Sequence, residues 1–268
     1  LNGGAAGPGG VVGHCLCENA ELPEDEIAAL DPEAELADFE AITLADVPSD
    51  EEAWQSDALA PAIDGWYSYD FQTHTISAEP EAVYAVRTAS GEAFAKFHVT
   101  EIADAARSHA GTVTFRYALQ PSAGAPFDST RTETLDLSQG DVYWDLESGA
   151  AVDASAEWDL LFQGYDIRVN GGVSGDGEAG ALLMGQPFDE VTDASGAPAR
   201  IYAGDAFGGV FDGEPWYRYN IQGQNQIWPT YDIYLIQRGD AVYKVQVVNY
   251  YGPTGDSRQI TFRYELLS

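Results

Sequence analysis

Thr261-Phe262-Arg263-Tyr264, near the end of the chain, repeats Thr114-Phe115-Arg116-Tyr117 letter for letter, 261 − 114 = 147 positions later. Working back from it, Gly239-Asp240-Ala241-Val242-Tyr243-Lys244 answers Gly91-Glu92-Ala93-Phe94-Ala95-Lys96 at 239 − 91 = 148. Ile233-Tyr234-Leu235-Ile236 answers Val83-Tyr84-Ala85-Val86, and Trp216-Tyr217-Arg218-Tyr219-Asn220-Ile221-Gln222 answers Trp66-Tyr67-Ser68-Tyr69-Asp70-Phe71-Gln72, both at 216 − 66 = 150. The offset narrows only between blocks, as it does when strands are kept and loops trimmed. The two lysines of the chain, Lys96 and Lys244, fall at the same place in both copies.

The repeated blocks alternate in polarity. Within Thr114–Leu119, Phe115, Tyr117 and Leu119 point one way and Thr114 and Arg116 the other, the pattern of a half-buried strand. Four strands are predicted in the first copy, Trp66–Thr75, Ala82–Thr88, Ala93–Glu101 and Gly111–Leu119, and their short links favour antiparallel order. Between the copies, Thr132–Leu137 and Asp141–Leu146 read as strands. In Trp158–Gly172, Tyr165, Ile167 and Val169 share a face before an Asn170-Gly171 turn. Ala194–Ala199 and Gly204–Gly213 read as loops. The sequence therefore predicts an all-β fold of antiparallel sheets built from a duplicated four-strand unit.

Residues 1–60 differ: they hold no Lys or Arg, and the first is Arg87. Leu1–Gly13 is rich in Gly and Ala and reads as flexible. Pro23–Leu30 places acids ahead of Ala and Leu, enough for a short helix that Pro32 ends. Asp46–Leu59 is acidic and loop-like, with Trp54 as an anchor. The expected domains are a flexible acidic arm over 1–60, a first β-unit over 61–125, and a β-domain over 126–268 that contains the second unit. The chain opens at Leu1 without Met, which is compatible with a cleaved export signal.

Lys and Arg together number 12 against 44 Asp and Glu, a net charge of −32. Such a surface is repelled by phosphate backbones and anionic lipids, which argues against nucleic acid and membrane-surface partners. The acids are dispersed, so the main reading is a solvated shell suited to salty surroundings; a cationic partner or Ca²⁺ is the alternative. No run of about 18 apolar residues is present to span a bilayer.

Several of these blocks resemble the HmuY family of haem-binding proteins. The carriers are Asp145-Leu146-Glu147-Ser148-Gly149, Trp158-Asp159-Leu160-Leu161-Phe162, Tyr165–Gly175, and the closing Tyr234-Leu235-Ile236, Tyr243-Lys244-Val245 and Ile260–Tyr264, over about 130–268. The resemblance implies an all-β protein, secreted or attached to the outer membrane, that grips haem through axial side chains from loops. In the best-known member of that family both ligands are histidines between the Asn-Gly block and the closing strands. Here Val173–Tyr231 contains no histidine, and Met184 is the only methionine.

Haem iron accepts His, Met, Cys or Tyr. Of His14, His74, His98 and His109, the candidates are His74, in a loop after the first aromatic strand, and His98, which shares a strand face with Phe94 and Lys96. The second copy has Gln246 in the place of His98, so a surface imidazole is the plainer reading. His14, Cys15 and Cys17 form a metal-like cluster suited to Zn²⁺ or Cu(I), although a Cys15–Cys17 bridge, pairing with another chain or covalent anchoring would use the same thiols. Gly175–Gly180 matches G-x-G-x-x-G, yet Asp176 and Glu178 would face pyrophosphate. It is a polar turn or a Ca²⁺ site.

Catalysis finds little support, with neither G-x-S-x-G nor His-Glu-x-x-His present. Trp66, Tyr67, Trp216 and Tyr217 could stack a planar ligand but fit cross-strand packing equally. The expected function is non-enzymatic binding by an exported protein (periplasmic, outer-membrane-associated or extracellular), with haem first. The rival is an accessory subunit of an envelope or extracellular assembly, without a cofactor, whose acidic arm is ordered by a partner.

Overall fold

The computed structural model describes all 268 residues and is all-β. β1 (Val11–Cys15) is followed by two short helices, α1 (Glu24–Ile27) and α2 (Leu36–Ala41), and by β2 (Ala58–Ala60). A hairpin of β3 (Tyr67–Asp70) and β4 (Thr75–Ala78) leads into a meander of β5 (Val83–Arg87), β6 (Phe94–Ala103) and β7 (Thr112–Gln120), with β8 (Arg131–Asp136) beside it. Next come β9 (Val142–Asp145), β10 (Ala150–Val152), β11 (Leu160–Gln163), β12 (Asp166–Val169) and β13 (Gly180–Leu183). After β14 (Ala206–Gly208) and α3 (Val210–Gly213) a hairpin and a meander come again: β15 (Tyr217–Tyr219), β16 (Ile227–Pro229), β17 (Ile233–Arg238), β18 (Ala241–Asn249) and β19 (Thr261–Leu266). No helix is long and apolar enough to cross a membrane.

The chain divides into two compact units, Ala60–Ala206 and a second that joins Leu1–Leu59 to Phe207–Ser268. The expected boundary near 60 recurs, but no division falls at 125; the second boundary lies after Ala206. Residues 126–206 complete the first β-unit, and the expected flexible arm is built into a sheet.

In the Ala60–Ala206 unit, a five-stranded sheet in the order β13-β5-β6-β7-β8 faces a four-stranded sheet in the order β10-β9-β11-β12. Alternation decides what lies between them. Phe97, Phe115 and Tyr117 point inward from the first sheet and meet Trp144, Leu160 and Phe162 from the second. The opposite face is covered by the segment after β13, which brings Phe188, Val191 and Tyr202 against Val83, Ala85, Phe94 and Ala118. The sheet is therefore buried on both sides. Buried Asp159 links the elements by accepting the amides of Ala89 and Leu146 at 2.6 and 2.8 Å. Burial raises its carboxyl to about 6 against these two favourable hydrogen bonds.

In the other unit the sheet order is β1-β17-β18-β19. Its register matches that of β5-β6-β7 at the offsets read from the sequence. Val83 faces His98 where Ile233 faces Gln246, and His98 faces Arg116 where Gln246 faces Arg263. A bulge between Val99 and Glu101 has its counterpart between Val247 and Asn249, at 247 − 99 = 148. The hairpins agree as well, Tyr67 facing Ala78 and Tyr217 facing Pro229. Tyr84 donates its hydroxyl to the Asp64 carbonyl, and Tyr234 donates to that of Glu214 at 2.6 Å.

The match extends to residues 1–59. β1 lies antiparallel on β17 as β13 lies on β5: Gly13 faces Ile236 and Ala181 faces Val86. Just beyond the strands, Leu16 N–H donates to the Ile233 carbonyl at 2.9 Å and Met184 N–H to that of Val83 at 2.8 Å. Gly13 also bridges to Gln55, as Ala181 bridges to Ala203.

One strand expectation changes in detail. Trp66–Thr75, expected as one strand, turns back after Asp70, whose Oδ1 accepts the amides of Gln72 and Thr73 at 2.7 and 3.2 Å. The Trp158–Val169 run likewise turns at Gly164, with φ +62°, to give β11 and β12.

Candidate functional site

Each unit holds one buried lysine, and both serve the same purpose. Lys96 Nζ donates to the carbonyls of Phe188 and Val191, both at 3.1 Å, and lies 4.5 Å from the Phe188 ring centre. Lys244 Nζ donates to those of Phe39 and Ile42 at 2.9 and 3.2 Å and lies 4.7 Å from the Phe39 ring centre. In both units the carbonyls sit three residues apart at the end of a short helical turn, where backbone acceptors run short of helical donors. An arginine from the last strand of each meander stacks on the same phenylalanine, Arg116 at 4.2 Å and Arg263 at 5.5 Å. Burial lowers the Lys96 ammonium below the usual lysine value, with Asp189 acting against the shift. These cations are spent on backbone and on aromatic rings, and Lys244 also on Glu265 at 2.9 Å. They clamp a short helix onto the sheet.

His98 is buried and faces Arg116 across the sheet; its Nε2 lies 3.4 Å from the Glu79 carbonyl, and its Nδ1 has no partner. Burial lowers its pKa, partly offset by the Glu79 carbonyl. His74 sits exposed at the β3–β4 turn with φ +55°, its Nδ1 2.7 Å from the Tyr69 hydroxyl. The two imidazoles share no hydrogen-bond partner. Near the chain start, Cys15 and Cys17 are bonded to each other, so neither supplies a thiolate, and His14 Nδ1 lies 2.9 Å from the Ala53 carbonyl. Glu178, weighed as a Ca²⁺ ligand, pairs with Arg87. No three His, Cys, Asp or Glu side chains converge as a metal site would require. A cleft of about 470 Å³ beside β16 is lined by Trp228, Tyr231 and Tyr251 and by no charged, His, Met or Cys side chain.

The feature that stands out is a difference between otherwise matching sheets. Phe115 and Tyr117 are 0% exposed, whereas their counterparts on β19, Phe262 and Tyr264, are 55% and 66% exposed. Leu266, the counterpart of Leu119, is 48% exposed. The cause is what lies outside each meander. β8 pairs along β7, and Trp144, Leu160 and Phe162 cover the aromatic face behind it. β19 pairs only with β18, so its outer edge is open and the side chains on that face have no second sheet over them.

The edge also lacks the usual protections. Open edges are ordinarily blunted by proline, lysine or inward charge, because free N–H and C=O groups recruit other strands. Between Thr261 and Leu266 there is no proline and no lysine; Arg263 and Glu265 alternate with Phe262, Tyr264 and Leu266. Arg263 is held at the opposite face by Gln246 at 2.6 Å and the Pro32 carbonyl at 2.8 Å, while Glu265 pairs with Lys244 at 2.9 Å. Sequence reading passes over Phe262, Tyr264 and Leu266 because alternation alone marks them as inward-facing. In residue type alone, nothing separates Phe262, Tyr264 and Leu266 from their counterparts Phe115, Tyr117 and Leu119.

No known protein-family description matches this chain, and no curated protein matches it.

Proposed function

We propose that the protein is a non-enzymatic accessory subunit of an exported assembly, formed by duplication of one β-unit and acting through protein contact at the open edge and aromatic face of β19. The observation that carries this reading is the exposure of Phe262 and Tyr264 where Phe115 and Tyr117 are fully covered. Contiguous exposed apolar surface beside an unpaired strand marks an association site. Duplication is supported by the shared register, the matching bulge and the paired lysine clamps. A net charge of −32 disfavours nucleic acid and anionic membrane as the partner, which leaves protein.

Haem binding, the function implied by the family resemblance, needs axial side chains that converge on one site. The separate surroundings of His74 and His98 favour the accessory role instead. A photo-crosslinking residue at Tyr264, in the full chain expressed in its native cellular setting, separates the two. Protein adducts at position 264, absent when the same residue replaces exposed Thr254, are the expected result. A Soret band in the purified protein, together with no adduct at 264, would overturn the proposal.

A further inference from the structure

Resting on that reading, we propose that the partner at β19 is a second copy of this chain, added antiparallel about a twofold axis centred on Tyr264. Three observations lead there. Leu267 N–H donates to the Val242 carbonyl on β18 at 2.9 Å. Alternate residues of an antiparallel strand turn their amides to opposite sides, so Phe262, Tyr264 and Leu266 direct N–H and C=O outward along the open edge. Antiparallel addition of an identical strand centred on Tyr264 then sets Tyr264 opposite its own equivalent and Phe262 opposite Leu266. Each such pair exchanges both hydrogen bonds of the ladder.

Charge supports the same register. Arg263 falls opposite Glu265 of the partner on the polar face, and Glu265 opposite Arg263, so the two contacts satisfy each other by symmetry. A shift of two residues in either direction breaks this match and sets like charges opposite each other. A heterologous strand has no such constraint to meet. The precedent lies within the chain: β7, the counterpart of β19, receives β8 antiparallel on this same outer edge, Phe115 facing Glu133 and Tyr117 facing Arg131. In the dimer, β19 of one copy takes the place relative to its partner that β8 takes relative to β7. The two four-stranded sheets become one of eight, and the exposed aromatic faces become continuous.

The opposing force is the net charge of −32 on each copy. Long-range repulsion weakens with salt while the hydrogen bonds and apolar contacts remain, so association strengthens as salt rises, the reverse of a contact held by opposite charges. At about 0.5 M salt the screening length falls to roughly 4 Å, shorter than the sheet spacing.

Sedimentation of the full chain across low to high micromolar concentration tests this, at low and at high salt. The expected result is a reversible dimer that tightens with salt. In Tyr264→Lys it weakens roughly tenfold or more, with an unchanged circular-dichroism spectrum showing that the fold is kept. Tyr264→Cys checks the register: under mild oxidation it should give a disulfide-linked dimer, and Thr254→Cys should not. A dimer unaffected by Tyr264→Lys, or one in which Tyr264→Cys does not cross-link, overturns the proposal. So does a monomer at every concentration and salt level. In that last case, adducts at position 264 with a different protein would keep the accessory role and exclude only self-association, whereas no adducts would remove both.

Discussion

Lys244 donates to the carbonyl of Phe39 at 2.9 Å across 205 positions of sequence, and in doing so ties the start of the chain to its end. Lys96 does the same for Phe188 at 3.1 Å within the other unit. The equivalence matters because a buried ammonium in a cleft invites a functional reading. Here two copies of one arrangement, each with its donors on helix-end carbonyls and its charge against an aromatic ring, argue that the lysines hold the fold.

Replacing either lysine by methionine keeps the stem and removes the donors. The carbonyls of Phe39 and Ile42 in one unit and of Val191 in the other then lose their donor, while that of Phe188 keeps only the Val191 amide at 3.4 Å, at a cost on the order of 3 kcal/mol. Urea unfolding should show comparable losses for Lys96→Met and Lys244→Met. A loss confined to one of them would mean that the two clamps are not equivalent.

Phe115 and Phe262 occupy matching strand positions in opposite surroundings. Phe115→Ala empties a core site between two sheets and should cost about 3–5 kcal/mol. Phe262→Ala should cost under about 1 kcal/mol in dilute protein, since its ring is half in water already. The same substitution should weaken association through β19. Equal stability losses at the two positions would show that the face over β19 is covered.

His98 has Gln246 as its counterpart. His98→Gln should therefore fold with a stability change within about 1 kcal/mol. Burial lowers the folded-state pKa of His98, so the unfolded chain binds the proton more readily. Stability contributed by the neutral ring is present above the unfolded value and is lost as pH falls through 6.5 toward the folded value. His98→Gln removes that dependence. Thermal melts of the two proteins should diverge at low pH and converge near pH 8, and unchanged divergence across the range would rule out the buried-imidazole account.

Asp159 acts with the opposite sign. Its folded pKa is raised from 3.8 to about 6, so the folded state binds a proton more readily and the carboxylate's burial costs stability above about 6. That cost is relieved as pH falls toward 3.8, by up to about 3 kcal/mol. Comparison with Asp159→Asn cancels the titration of the other acids. The stability difference should move in favour of the unmodified protein as pH falls from 7 to 4. A constant difference would place Asp159 at an ordinary pKa.

How much of this was legible in the sequence depends on how each feature is encoded. Thr114–Tyr117 and Thr261–Tyr264 are identical, and a strand whose side chains alternate between two environments is strongly constrained, so the meanders could be read directly. Residues 1–59 could not. β1 and β13 match in register but share almost no letters, Val11–Cys15 against Gly180–Leu183, because edge strands of small residues tolerate nearly any apolar side chain. The clamp was half visible: the lysines stood out as a pair, but their acceptors are backbone carbonyls, which leave no mark on residue type. The open face of β19 was hidden for the opposite reason. Its residues are written for a core, and only what lies over them tells Phe262 from Phe115.

Residue-resolved hydrogen exchange of the β19 amides tests the central claim most directly. Phe262, Tyr264 and Leu266 have outward N–H groups that no strand in the chain accepts, so they should exchange fast in dilute protein and become protected as concentration and salt rise, while Arg263 and Glu265, bonded to β18, stay protected throughout. Exchange of Phe262, Tyr264 and Leu266 that remains fast at every concentration and salt level would contradict self-association through this edge.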